Sequence, residues 1–516
     1  MIYFVNPTKN TEEALNTTKD RPRSVIIIGA GIAGLCAGIY AQRNGYKSRI
    51  YEMHDLPGGL MTAWKRKGYT IDGCIHWLTW SNPKTNYYTL WEEIGLIQGR
   101  QILNPEVFLR FEDPDGRIFN FYSDIDRLEQ HMLEIGPEDR AFIHEFCSDA
   151  RAMVGFESPV EGKGSFAGNL FKSLRMLPKM LSVIPKMRKW GPMTLGEFAG
   201  KFKNPFLHRV FAELWMTEMS VVGMLFTMAL VHDRAAGYPI GGSLPMARAV
   251  EKRYCDLGGE ICYNCRVEKI LVEGDRAVGV QLADGSIQKA DAVISAADGH
   301  ATIFEMLGGR FVDEKIHEIY EEYPLFPPIL LVGLGVKRTF PELPGVTGGM
   351  NLSLRQPVEV AGMAIKNLDL MVYNFDPTLA PEGKTVLTAM IPTQYNYWKQ
   401  LAADRERYEA EKERIGIEVI QRLDQRFPGF AGEVEMANVA TPMTFEHYTG
   451  NWQASFEGFL PTPKAFMARI PKTLPGLESF YMVGQWVQPG GGLPTGLTTG
   501  REVVMQLCKK DGVKFR

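Results

Sequence analysis

An α/β fold organised on a parallel sheet is predicted by three features of this chain: an apolar strand running through a glycine turn into a helix, an acid closing the next strand, and two later glycine-bearing strand blocks. The first feature is Ser24-Val-Ile-Ile-Ile-Gly-Ala-Gly-Ile-Ala-Gly34, and the acid is Glu52, eighteen residues beyond Gly34, at the end of Ser48-Arg-Ile-Tyr-Glu52. Gly29 permits the tight turn, Gly31 lets the backbone approach a pyrophosphate, and Gly34 lets the helix pack on the strand with its first amides aimed at the anion. Glu52 is placed to accept hydrogen bonds from ribose hydroxyls. Strand, turn, helix and acid occur in register, the context that a bare glycine spacing lacks, so the unit reads as dinucleotide-binding.

The elements that follow extend this reading. Gly58-Gly-Leu-Met-Thr62, before Gly68-Tyr-Thr-Ile-Asp-Gly-Cys-Ile-His-Trp77, suits a loop folding back over a phosphate or ribityl chain. In the second block, from Gly258 to Ile270, Ala277 to Ser286 and Ala290 to Asp298, alternating apolar residues punctuated by Glu273-Gly-Asp275 and Asp284-Gly285 predict short strands and hairpins. The third block, Phe480 to Gln485 and then Pro489 to Arg501, reads as a strand, a glycine loop and a final helix whose N-terminus faces a negative group.

Composition bounds what remains. With 516 residues the chain exceeds what one hydrophobic core serves, and 45% hydrophobic residues are ample for more than one. A formal charge of -3 provides no field for gathering nucleic acid, which is not expected as a partner. Seven cysteines without framework spacing predict a reducing, cytoplasmic setting, and Cys262-Tyr-Asn-Cys265 reads as coincidence in a strand, with no histidine cluster to suggest a metal. The first twenty residues lack an apolar signal region, and the longest apolar runs, Met219 to Val231 and Pro324 to Val336, are about thirteen residues against the roughly twenty of a spanning helix.

The three blocks, in this order and at these separations, resemble the phytoene desaturase-like branch of the flavin amine-oxidase superfamily, which includes carotenoid desaturases, carotene isomerases and retinol saturases. The resemblance spans about Ser24 to Leu507 and implies a discontinuous Rossmann-like FAD domain with an inserted substrate domain of mixed sheet and helical cap. The implied partition is 22–101, 237–301 and 476–516 for FAD, with 102–236 and 302–475 for substrate. Carried over by position, Gly29, Ala30, Gly31, Ala33 and Gly34 hold the pyrophosphate, Glu52 the ribose, and the Val267 backbone the adenine. Gly59, Met61, Thr62 and Ala296 border the cofactor. Ile75, His76 and Trp77 pass the isoalloxazine, and Gly484, Gln485, Leu493, Pro494 and Thr495 meet the ribityl chain and flavin. Leu60 stands where many relatives have arginine, and Gln485 where related flavoproteins often have aspartate, although an amide also makes that hydrogen bond.

The substrate segments carry further expectations. Lys163, Lys172, Arg175, Lys179, Lys186, Arg188 and Lys189 interleave with apolar residues and no acid between 163 and 194, as an interfacial helix requires, while Pro178 and Pro185 are expected to interrupt any long helix. The alternative is a solvated hairpin. Trp215, Met216, Met219, Met224, Phe226 and Met228 either line a tunnel for a long apolar molecule or form core. Trp77, Trp215, Tyr448 and Trp452 are candidates for the substrate wall, and His76 and Glu457 for acid or base, each set against a structural role. The resulting expectation is an FAD oxidoreductase at a membrane surface, desaturating, saturating or isomerising a carotenoid, retinoid or other apolar isoprenoid, with oxygen, a quinone or a redox protein as electron partner. A flavin amine oxidase and a non-catalytic escort for prenylated proteins are the alternatives.

Overall fold

The computed structural model describes residues 23–157, 166–214, 216–466, 468 and 470–516. Its centre is a five-stranded parallel sheet ordered Glu260–Cys262, Lys47–Tyr51, Ser24–Ile28, Ala292–Ser295, Phe480–Met482. Strands adjacent in space thus come from three distant stretches of chain. Val25, Ile27, Ile50 and Ile294 are buried, as expected of strands covered on both faces. The helix Ile32–Arg43 leaves the first strand and packs against the closing helix Gly492–Asp511. A Cβ at Gly34 would overlap the Gly29 carbonyl oxygen, and one at Gly500 would lie 2.9 Å from the Ala33 oxygen, so both contacts need glycine.

A second, seven-stranded sheet is ordered Val434–Ala440, Ile329–Val336, Thr385–Pro392, Met363–Val372, Met350–Val360, Val107–Glu112, Ile118–Tyr122. Residues alternate between its faces. Leu330, Val332, Leu334, Leu368, Leu370 and Leu387 enter a core with Ile415, Val419 and Leu423 of helix Arg405–Arg426, while Leu331 and Met371 on the opposite face join the core of the parallel-sheet region. A helical cap between residues 125 and 232 surrounds Phe146, Trp190, Phe198, Phe202 and Phe211. Met224 and Met228 belong to that core, so this part of the methionine-rich run is packing.

Two expectations are corrected. Pro178 and Pro185 do not end the helix, which continues over Phe166–Trp190; proline's fixed φ is itself helical, and Val183 and Trp190 anchor the segment in the cap core. Residues 163–165 of the basic segment lie outside the described residues. Cys262 and Cys265 are joined by a disulfide, because the strand ends at Cys262 and Asn264 takes a left-handed conformation that returns Cys265 to it, with Cα atoms 5.8 Å apart. The spacing is therefore not coincidental, while Cys36, Cys74, Cys147, Cys255 and Cys508 are free thiols.

Candidate active site

The first and closing helices both begin at glycine, Gly31 and Gly491, with no side-chain cap and no acid in the first turn. Both N-termini border one cavity of about 2180 Å³, leaving unclaimed amides and two positive dipole ends directed at the same space. An anionic diphosphate satisfies that arrangement. At the adjoining end Glu52 is buried, accepting hydrogen bonds from the amides of Ala30 at 2.6 Å and His54 at 2.8 Å. Burial raises its pKa and those amides oppose the rise. The disulfide loop holds this strand end in place: the Glu52 amide donates to the Cys262 carbonyl at 2.9 Å and the Cys265 amide to the Glu52 carbonyl at 2.8 Å.

The residues expected around a dinucleotide divide into wall and support. Gly29, Gly31 and Ala33 line the cavity with Glu52, Gly59 and Met61, as do Val267 and Ala296. Ala30, Gly34 and Thr62 do not. Ala30 serves through its amide on Glu52, Gly34 through helix packing, and Thr62 turns its carbonyl back to the Gly73 amide at 3.0 Å. Leu60 also lines the space without offering a charge, consistent with anion binding by helix amides.

Further along, Ile75, His76 and Trp77 form one wall, and Gly484, Gln485, Leu493, Pro494 and Thr495 another. The first wall is held by Asp72, which sequence reasoning passed over although it is the lone acid in the Gly68 to Trp77 stretch. Its carboxylate accepts from the amides of Cys74 (2.9 Å), Ile75 (3.1 Å) and Ser243 (2.6 Å) and from the Ser243 hydroxyl (2.6 Å), fastening the loop to helix Ser243–Asp256. Thr499 plays the matching part in the second wall, accepting from the Gly484 amide at 2.9 Å and donating to the Thr495 carbonyl at 2.6 Å. Asp298, also missed, accepts from the amides of Ala301 and Trp452, and burial pushes its pKa up to about 7.

Of the acid–base candidates, His76 lines the cavity, and desolvation there lowers its pKa to about 4, favouring the neutral imidazole. Glu457 lines the cavity, no side-chain hydrogen bond holds it among the described residues, and burial pushes its pKa up to about 7. That value suits proton exchange near neutrality. Trp77 meets Phe108 edge-on at 5.0 Å, between the loop and the large sheet. Tyr448 and Trp452 line the same cavity, Tyr448 edge-on to His54 at 4.7 Å and Trp452 stacked on His300 at 4.6 Å. Trp215 lies outside the described residues. Met216 and Met219 line the cavity together with Ile329, Met390 and Pro392 of the large sheet.

Comparison with known proteins agrees with this geometry. Prolycopene isomerase from Daucus carota is 25% identical over 95% of this chain and 81% of its own length, and lycopene-forming phytoene desaturase from Pseudescherichia vulneris is 25% identical over 95% and 99%. Among solved structures, cyclohexylamine oxidase from Brevibacterium oxydans superimposes with a TM-score of 0.56 at 15% identity, covering 95% of this chain and 100% of that one, a likeness of fold. The family model described as flavin containing amine oxidoreductase matches residues 32–508, so an FAD-type site, two facing helix N-termini and a large mixed sheet coincide in one place because the chain belongs to the flavin-containing amine oxidoreductase family.

Proposed function

We propose that this chain is an FAD-dependent oxidoreductase acting on carbon–carbon bonds of a long unsaturated lipid of carotenoid or retinoid type. The observation that carries the reading is the single cavity, continuous from Glu52 past His76 and Trp77 to Ile329 and Met390, whose roughly 2180 Å³ exceeds the about 300–1,000 Å³ of an ordinary small-molecule pocket. It has room for a dinucleotide and an extended chain together. When bound, the flavin supplies hydride transfer to or from a substrate carbon.

The chain's residues account for the rest. Gly31, Ala33 and the closing helix hold the diphosphate, Glu52 the ribose, and Asp72 and Thr499 the walls against the ring system. Met216, Met219 and Met390 give an adaptable apolar surface for a flexible chain. His76, neutral, offers a hydrogen bond without a charge, and Glu457 holds or releases a proton beside the Gly491–Gly492 turn. Electrons pass to or from oxygen, a quinone or a redox protein.

The same reading places the enzyme at a membrane surface. Leu177, Met180, Leu181 and Ile184 are exposed at helical spacing on one face of Phe166–Trp190, with Lys179 and Arg188 nearby, and no described helix is long and apolar enough to cross a membrane. The test is to mix oxidised and chemically reduced FAD-loaded protein with carotenoids, retinoids, unsaturated fatty acids and amines, following flavin absorbance and product mass. A loss or gain of two hydrogens, or unchanged mass with altered retention, separates desaturation, saturation and isomerisation. Bleaching by amines alone refutes the lipid assignment.

A further inference from the structure

Cys262 and Cys265 stand apart from the other cysteines of the chain. Cys36, Cys147 and Cys508 are buried thiols and Cys74 and Cys255 are free as well, whereas Cys262 and Cys265 are joined to each other. The pair lies on an edge: Glu260–Cys262 is the outermost strand of the parallel sheet, both cysteines are half-buried, and the neighbouring Asn264 and Arg266 are exposed, so a dissolved thiol has access. As a staple the bond gains little. Cross-linking stabilises a chain more as the closed loop lengthens, and here the two residues are separated by 3 in sequence.

Its position points to another role. Glu260, Ile261 and Cys262 pair with Arg49, Ile50 and Tyr51, the strand that runs directly into Glu52. Past the strand ends the two segments interlock: the Glu52 amide donates to the Cys262 carbonyl at 2.9 Å, the Asn264 amide to the His54 carbonyl at 3.1 Å and the Cys265 amide to the Glu52 carbonyl at 2.8 Å. The turn that aims the last two amides needs Asn264 at φ 54°, a left-handed conformation that a non-glycine residue keeps when its surroundings hold it there. The disulfide closes across that residue. Immediately after the turn, Arg266 and Val267 line the cavity with Glu52 and Met53. One covalent bond at the surface thus fixes two adjoining parts of the cofactor wall.

We propose that Cys262 and Cys265 form a thiol–disulfide exchange site that controls how tightly FAD is held. The thiolate of a dithiol reductant attacks one sulfur, the S–S bond breaks to a mixed disulfide, and the second thiol of the reductant displaces the other partner; Cys262 and Cys265 together gain two electrons and two protons, and the reductant leaves as a disulfide. Exchange with a disulfide oxidant reverses the step. Once freed, Asn264 leaves the left-handed region, the three backbone bonds to residues 52 and 54 loosen, and the Glu52 end of the cavity loses its shape. By linkage, bound FAD protects the disulfide by the same factor by which the disulfide tightens FAD.

The test equilibrates full-length holoprotein in graded mixtures of dithiothreitol and its cyclic disulfide, reading FAD release from flavin fluorescence and the state of each cysteine from alkylation and peptide mass. The dithiol form should bind FAD about 5- to 100-fold more weakly, the loss of about two net hydrogen bonds, and saturating FAD should shift the thiol–disulfide equilibrium by the same factor. C262S/C265S should show the weak affinity in every mixture, and C74S/C255S should respond as wild type does. Far-UV circular dichroism reports folding, and reduced, alkylated wild type replaces C262S/C265S should that variant not fold. Affinities of the two forms within about twofold, a response that persists in C262S/C265S, cysteines that stay unpaired in the most oxidising mixture, or unfolding of the whole chain on reduction would each overturn the proposal.

Discussion

Replacing Asp72 by alanine should damage the site more than replacing any group that touches the cavity directly. The carboxylate is 2% exposed and serves the amides of Cys74, Ile75 and Ser243 together with the Ser243 hydroxyl. The Ile75 amide keeps the Ser243 hydroxyl as a second acceptor at 3.0 Å, but the Cys74 and Ser243 amides and the Ser243 hydroxyl lose theirs; each buried donor left without an acceptor costs about 1–3 kcal/mol, so these three give about 3–9 kcal/mol, with water in the vacated space keeping the loss near about 3–5. At about 2–4 °C per kcal/mol for units of about 150–250 residues, thermal unfolding should fall by roughly 6–20 °C. D72N keeps an oxygen for the Oδ1 partners and sets an NH2 group against the Ser243 amide, losing one bond and about 1–3 kcal/mol. Circular dichroism and flavin release on heating should rank wild type above D72N and D72N above D72A. An unfolding temperature for D72A within about 2 °C of wild type, with FAD retained, would refute the idea that this carboxylate fastens the Ile75–Trp77 wall.

The remaining expectations are briefer. E457Q should remove an ionisation near pH 7 from the rate of flavin reduction by substrate, measured by stopped flow; an unchanged profile rules Glu457 out as the proton-exchanging group. Its folded pKa is raised, so Glu457 contributes stability that is full below the ordinary carboxylate range and lost as pH climbs through about 7, and E457Q should flatten that part of the stability profile. His76 has the opposite sign: its folded pKa is lowered, so its contribution is full above about 6.5 and lost as pH falls toward 4, and H76F should alter stability in that acid window while leaving the neutral part of the rate profile unshifted. G34A should purify without the flavin band near roughly 450 nm, because the new methyl would collide with the Gly29 carbonyl; a fully yellow variant would show that the helix can move away. L181E should reduce sedimentation with anionic vesicles, and equal sedimentation would remove helix Phe166–Trp190 from the membrane contact.

Local chemistry explains why the dinucleotide half could be read before any coordinates. Glycine at positions 29, 31 and 34 and an acid at 52 are demands of one short unit, and the fit of each residue depends mainly on close neighbours. The disulfide could not be read in the same way, since two cysteines three apart are equally compatible with a strand; the left-handed Asn264 decides their meeting. Nor could the fate of the aromatics. Tyr448 and Trp452 border the cavity, yet their ring partners, His54 and His300, come from distant parts of the chain that only the fold brings to them.

The sequence by itself determined the cofactor class, the parallel sheet and the amides that face an anion, because these follow from side-chain size and backbone freedom over a few residues. Tertiary structure alone decided that Asp72 clasps Ser243 from 171 residues away, that desolvation lowers the pKa of His76 and raises that of Glu457, and that Asn351 and Asp369 meet on one cavity wall. Burial and long-range register set those properties, and both depend on which distant strands the folded chain brings side by side.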